Sequence, residues 1–113
     1  IKDVSPDGVI TSYNVSGQIR ASLRKMAEPP YNYLGLPWHT YLESDVTPLK
    51  PGEPTELVFP ILPISMIFKA GHKIRLEISF STRGTQPTEP APDVTVYHDA
   101  LHPSCLTLPI MKQ

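Results

Sequence analysis

The side chains best suited to catalysis or metal binding in this chain belong to four histidines and one cysteine. They are His39, His72, His98, His102 and Cys105. Zinc sites place Cys, His or carboxylate ligands at short, characteristic spacings. Only His98 and His102 stand close together, and neither has a further ligand at such a spacing. The sequence therefore predicts no metal and no other cofactor.

Nucleophilic hydrolysis requires a serine, a general base and an acid that orients the base. In α/β-hydrolases the serine stands in a Gly-x-Ser-x-Gly turn, and this pattern is absent from the chain. Ser65 lacks the small flanking residues. His98 and Asp99 are adjacent, so on a strand their side chains would point to opposite faces. We predict no catalytic residue here, and the chain by itself is not expected to be an enzyme.

The same residue types have simpler structural interpretations. We expect the ring nitrogens of His98 and His102 to bond to the backbone of the turn between them, and Cys105 to be a small buried apolar residue. Asp3 and Asp7 could suggest a calcium loop, but the further oxygen ligands of such a loop are missing. The segment that contains them is instead predicted to be a tight turn, because it combines Asp, Ser, Pro and Gly.

The clearest structural signal is a strand that starts at His72. Apolar and polar residues alternate strictly from there to Ser81, which is the period of a half-buried strand. The apolar set is Ile74, Leu76, Ile78 and Phe80. We predict that this is a central strand of a sandwich, and that Gly71 supplies a positive φ in the turn just before it.

The composition favours an all-β protein. The 113 residues are enough for one core, so a single domain over residues 1–113 is expected. Fourteen prolines against six glycines disfavour long helices and favour short strands joined by fixed turns. The lone cysteine cannot form an intrachain disulfide, which is compatible with an intracellular protein.

Charge and hydropathy exclude two classes of partner. The net charge of −1 gives no basic field that would attract nucleic acid or anionic lipid. No apolar run approaches the roughly 18 residues of a membrane-spanning helix. Neither nucleic acid nor a membrane is therefore predicted as a partner. The chain starts without Met on a strand-like Ile1–Val4, so we expect a piece of a longer polypeptide.

Most of the remaining chain is predicted to form short strands, over residues 9–15, 18–24, 93–98 and 104–110. Residues 18–24 would also fit a short helix, but the alternation favours a strand. The run 55–63 contains two prolines and should lie at a sheet edge or carry a bulge. A turn is predicted at Lys50–Pro54, and the polar, proline-rich residues 82–92 are expected to form a mobile surface loop.

A long irregular segment between Met26 and Pro54 combines many prolines with four aromatic residues. These are Tyr31, Tyr33, Trp38 and Tyr41. Loops of this length in compact domains are uncommon and are usually functional or held by their own packing. The aromatics could cover the open end of the sandwich, or they could contact a neighbouring domain or a ligand.

Several stretches together resemble a known family. They are Phe68–Ser79, Val96–Ser104 and Leu106–Ile110, with support from Val4–Gly8 and Pro51–Glu53. These stretches are similar to the C-terminal domain of the X-prolyl dipeptidyl-peptidase and cocaine esterase group of serine hydrolases. The resemblance covers nearly the whole chain.

The resemblance implies a jelly-roll β-sandwich of the galactose-binding-domain type, here without its first strands. It also implies that the catalytic triad stands earlier in the polypeptide, so no catalytic residue is carried over. The residues of the recognisable motifs are given structural roles; they are Gly71, His72, Tyr97, His98, Asp99 and His102.

Two functions of different classes follow. In the first, the chain is a non-catalytic domain that packs on the α/β-hydrolase domain of the same polypeptide and helps to shape its substrate entrance. In the second, it is a module that binds carbohydrate or another ligand, with the four aromatics as a stacking platform. Because a sandwich without its opening strands exposes edges, we also expect self-association.

Overall fold

The structure of the chain is a computed structural model that describes residues 1–80 and 92–111. The chain divides into two compact units, Ile1–Ile78 and Ser79–Gln113. The strands are β1 (Lys2–Val4), β2 (Ile10–Ser12) and β3 (Lys73–Arg75), and short 3-10 turns occur at Ala21–Leu23 and Glu43–Asp45. No α-helix occurs within these described ranges. The prediction of an all-β fold is confirmed, and the jelly roll stays a prediction.

The sheet of the first unit has β1 at its centre, in the order β2-β1-β3 with antiparallel pairing throughout. β1 and β2 form a hairpin, and the predicted tight turn joins them. In that turn the amide of Gly8 donates to the carbonyl of Ser5 at 2.9 Å, and Gly8 has a φ of +87°. Glycine suits this conformation because a Cβ would make it costly.

The turn before β3 also forms as predicted. The amide of His72 donates to the carbonyl of Lys69 at 3.1 Å, and Gly71 has a φ of +81°. The turn predicted at Lys50–Pro54 is present too, with the amide of Glu53 bonded to the carbonyl of Lys50 at 3.2 Å. These three turns were predictable because their residue types act locally.

The strand predicted from His72 to Ser81 is much shorter in the structure, and the prediction that it is central is wrong. Of its described residues 72–80, only Lys73–Arg75 pair in a ladder, and β3 lies at an end of the sheet because it pairs with β1 alone. The apolar set that was expected to face a core is exposed, and it comprises Ile74, Leu76, Ile78 and Phe80. A sheet buries one face only where a second layer covers it. Among the described residues Val15 is the one buried apolar side chain, with 6 % exposed.

The strand predicted at residues 18–24 is wrong. Ala21–Leu23 form a 3-10 turn in which the amide of Leu23 donates to the carbonyl of Arg20 at 2.8 Å. The carbonyl of Ser22 accepts from the amide of Thr47 at 2.7 Å. The backbone groups of this segment are therefore bonded within the turn and to a distant loop, and they do not form a ladder.

Other predicted strands lack ladder pairing in the part of the chain that the structure describes. Residues 93–98 and 104–110 are unpaired, and Pro92, Pro103 and Pro109 remove donors beside or within them. The run 55–63 has no ladder either, although the amide of Leu62 donates to the carbonyl of Ser16 at 3.3 Å.

Two further expectations concern single features. Cys105 is exposed, contrary to the prediction of a buried residue, because the segment around it has no covering layer among the described residues. The loop expected to be mobile lies, except for Pro92, outside the described residues. Within those ranges no helix has the length and apolar character needed to cross a membrane.

Candidate functional site

The aromatic loop, residues 26–42, is closed at its base by a short antiparallel contact. Met26 pairs with His39 in an isolated bridge, and the amide of Ala27 donates to the carbonyl of Trp38 at 3.1 Å. The loop between these points is therefore closed by backbone pairing within the first unit.

Three of the four predicted aromatics come together in this loop. Tyr31 lies 5.3 Å from Trp38 and 6.0 Å from Tyr33, and Tyr33 lies 5.0 Å from Trp38, measured between ring centroids. The ring planes are 73° to 80° apart, so each edge meets a neighbouring face, a favoured arrangement for aromatic pairs. Tyr41 does not join them; its ring lies 5.7 Å from that of His39.

His39 anchors the base of the loop and is 2 % exposed. Its Nδ1 lies 3.1 Å from the carbonyl oxygen of Lys25, and its Nε2 lies 2.9 Å from that of Val58. One buried ring therefore ties the loop to two separate segments. The sequence marks His39 only as a possible metal ligand, and its spacing argues against that role. The anchoring role was missed because backbone carbonyl partners leave no signal in residue type.

Asp45 is a second buried polar anchor beside the loop. The Lys25 ammonium donates to its Oδ1 at 2.5 Å, and the Thr40 hydroxyl donates to its Oδ2. The hydrogen bond from Lys25, followed by that from Thr40, lowers the pKa of the Asp45 carboxyl below its usual value. The C-terminal end of the aromatic loop is thus fixed to the segment that precedes it.

The tip of the loop is a tight turn over Tyr33–Leu36, in which the amide of Leu36 donates to the carbonyl of Tyr33 at 3.0 Å. Both central residues have positive φ, +59° at Leu34 and +69° at Gly35. Asn, Asp or Gly normally fill such positions, and a branched apolar residue there is uncommon. The Leu34 side chain is nevertheless 75 % exposed.

A cleft of about 350 Å³ lies beside this tip. Two strips of the loop line it, Met26–Pro29 and Gly35–Trp38. Glu28 is the one charged residue of the lining, and no ion pair or hydrogen bond of its carboxylate occurs within residues 1–80 and 92–111. The cleft is therefore an open groove of mixed polar and apolar lining, with one unpaired negative charge at its wall.

The family of the chain follows from a match to a family model. Residues 1–107 match the family described as the X-Pro dipeptidyl-peptidase C-terminal non-catalytic domain. The chain belongs to this family.

Relatives of this C-terminal domain include two mycobacterial proteins provisionally named serine esterases. One is from Mycobacterium bovis and the other from Mycobacterium tuberculosis, and each is 36% identical over 116 residues. The alignment covers 99% of the chain and 18% of each relative, so the chain spans less than a fifth of their length. No solved structure matches the chain significantly.

Two of the predicted motif residues, Gly71 and His72, lie in the turn before β3, where His72 contacts β1. The Nδ1 of His72 lies 2.9 Å and 3.0 Å from the two carboxylate oxygens of the buried Asp3. Gly71 provides the positive φ that places His72 there. In the turn between β1 and β2, the Ser5 hydroxyl donates a hydrogen bond to the Asp7 carboxylate. This hydrogen bond is the main cause that lowers the pKa of the Asp7 carboxyl.

Three of the other motif residues meet in the second unit. Asp99 accepts the backbone amides of His102 and Leu101, both at 2.8 Å, and these two bonds are the largest cause of its lowered pKa. The ring of His102 packs at 4.8 Å from that of Tyr97. Its Nδ1 faces the Asp99 carboxylate at 3.2 Å, whereas a bond to the turn backbone had been expected. Asp99 stands three residues before His102, which places its carboxylate within reach.

His98 makes no hydrogen bond within the described residues, so the predicted bond of its ring to the turn backbone does not form there, and its structural role stays a prediction. Ser65 is exposed and likewise bonds to no His or Asp there. In the same ranges, no group of three or more His, Cys, Asp or Glu is arranged to hold a metal ion.

Proposed function

We propose that this chain is the non-catalytic C-terminal β-sandwich of an α/β-hydrolase of the acyl esterase or X-Pro dipeptidyl-peptidase type. The family match over residues 1–107, to a domain described as non-catalytic, carries the proposal. The serine esterase names of the two relatives support the hydrolase class. In this proposal the Ser-Asp-His triad belongs to a part of the polypeptide outside these residues.

The domain packs on the catalytic domain and helps to shape the substrate entrance. The amount of apolar surface left open supports this role. Val15 is the one buried apolar side chain among the described residues, while the apolar side of the β3 segment is exposed, including Ile74, Leu76 and Ile78. Large exposed apolar areas on a soluble protein are typical of interaction surfaces.

Hydrolysis by the complete polypeptide tests the proposal. We expect turnover of p-nitrophenyl esters or Xaa-Pro anilides by the complete polypeptide, and none by residues 1–113 alone. The Ser65→Ala variant should retain the full rate, because the Ser65 hydroxyl has no hydrogen bond to a His or Asp among the described residues. Loss of activity in this variant would place the nucleophile inside the chain and refute the proposal.

A second candidate function is ligand binding by the aromatic loop, as a module for carbohydrate or another extended ligand. The cleft walled by Trp38 favours it, because its volume of about 350 Å³ lies within the range of small-molecule sites. Saturable binding in a glycan array or by calorimetry, abolished by Trp38→Ala, would support this function. The perpendicular packing of the three rings leaves less free face for stacking than a flat platform would.

Self-association through exposed strand edges is also part of the proposal. β2 and β3 lie at the two ends of the three-stranded sheet, and each presents an unpaired edge within that sheet. Such edges can pair with another chain. A light-scattering mass that stays monomeric over a wide concentration range would contradict this part.

A further inference from the structure

The turn at the tip of the aromatic loop holds a residue that the fold itself does not explain. Leu34 has a positive φ, which disfavours a branched side chain, and it exposes three-quarters of its surface to water. Residues with a strained backbone persist where function requires them, so the positive φ of Leu34 indicates a functional contact of this side chain with another surface. An exposed leucine gains stability only when another surface covers it.

The surface around Leu34 has the composition of a docking site. Tyr31, 57 % exposed, belongs to the ring cluster at one side, and the cleft walled by Trp38 begins at Gly35. Aromatic anchors beside a pocket carry most of the binding free energy in protein interfaces. We call Tyr31, Leu34 and the cleft the docking face.

The cleft also indicates the chemistry of the side chain that enters it. Glu28 supplies an unpaired carboxylate, and Trp38 supplies an aromatic wall. An arginine satisfies both, because its guanidinium pairs with carboxylates and stacks on aromatic rings. Its apolar stem would lie along the methionine and proline residues of the lining.

We propose that the docking face binds the catalytic portion of the same polypeptide, with an arginine of that portion seated in the cleft. The proposal rests on the proposed function. The length of chain outside this structure argues for this occupant, since the chain covers 18% of each relative and the remainder supplies a surface at high effective concentration.

Hydrogen exchange of the complete polypeptide tests the docking face. The amides of residues 26–42 should be protected, and exchange should become roughly tenfold faster in Leu34→Asn and in Glu28→Lys, as expected when a hot-spot contact is lost. Asn is well suited to the left-handed position, so Leu34→Asn keeps the turn. Leu62→Asn and Glu56→Lys are the matched controls, since both positions are exposed outside the loop, and they should leave this exchange unchanged.

Photo-cross-linking identifies the occupant. With p-benzoylphenylalanine at position 34, we expect cross-links to the catalytic portion of the same molecule. Two outcomes would overturn the inference and leave the proposed function intact. One is cross-linking of position 34 to a second copy. The other is no cross-link at position 34 while other positions of the chain do cross-link to the catalytic portion. A complete polypeptide that hydrolyses no ester or anilide would instead refute the proposed function. Unchanged exchange in both loop variants would also overturn the inference.

Discussion

Replacing Gly17 by alanine tests whether the close approach of two segments holds the first unit together. A Cβ at this position would lie 2.2 Å from the carbonyl oxygen of Pro60 and 3.1 Å from the Cα of Ile61. The adjacent Ser16 carbonyl accepts the amide of Leu62, so the two segments are bonded at the point where the methyl would enter. Gly17 does not have a positive φ, and the effect is therefore steric.

The size of the effect follows from this geometry. Ordinary contacts of a Cβ begin near 3.4 Å, so the backbone at Pro60 would have to move by more than 1 Å or the hydrogen bond from Leu62 would break. Inserting a methyl group into tight packing costs about 1–3 kcal/mol, and losing the hydrogen bond adds about 1 kcal/mol. We therefore expect Gly17→Ala to lower the free energy of unfolding by about 2–4 kcal/mol.

Gly52→Ala is the control for this substitution. Gly52 has a φ of +78°, and a Cβ there would meet no atom within 4 Å, so alanine at this position introduces conformational strain without a clash. The cost should be about 1 kcal/mol. Urea unfolding followed by the fluorescence of Trp38, the single tryptophan, measures both variants. A Gly17→Ala variant as stable as Gly52→Ala would refute the close approach of the two segments.

Three further predictions concern the polar anchors. The pKa of Asp45 is lowered in the folded state, so its carboxylate stabilises the fold above its ordinary pKa near 3.8. This contribution is lost as the pH falls through the folded-state pKa. Acid unfolding of Asp45→Asn should therefore depend less steeply on pH in this range. His39→Phe removes the ring nitrogens that face the carbonyl oxygens of Lys25 and Val58, and it should cost about 1–3 kcal/mol in urea unfolding because a buried carbonyl loses its donor. Amide exchange in the aromatic loop should become faster; an unchanged exchange rate would contradict the anchoring role. Lys2→Gln removes the surface ion pair with Glu77, 2.7 Å long, and should change stability only slightly, with no difference from the wild type at high salt; a large loss at high salt would show that Lys2 stabilises the fold by more than its charge.

Features that depend on local residue types could be predicted from the sequence. The turns at Gly8, Gly52 and Gly71 form because glycine tolerates a positive φ that few other residues adopt. The all-β class followed in the same way from the abundance of proline, since proline interrupts helices wherever it occurs.

Features that depend on distant partners could not be predicted. Alternation from Ile74 to Phe80 predicts an apolar face, but alternation does not show how far the strand pairs or whether a second layer covers it, and these side chains are exposed. The role of His39 was missed because both of its partners are backbone carbonyls, and any residue type can supply those. Composition draws attention to four aromatics, yet only the folded loop separates Tyr41 from the other three.

The order of the strands affects how this domain is made in the cell. β1 is the central strand, but its partner β3 follows it by roughly 70 residues, as the pairing of Lys2 with Arg75 shows. At a synthesis rate of about 5–20 residues per second, one edge of the β1–β2 hairpin stays unpaired for about 4 to 14 seconds after it leaves the ribosome. Throughout this interval the growing chain is open to mispairing, so chaperone binding to the nascent hairpin has a defined window in which to act.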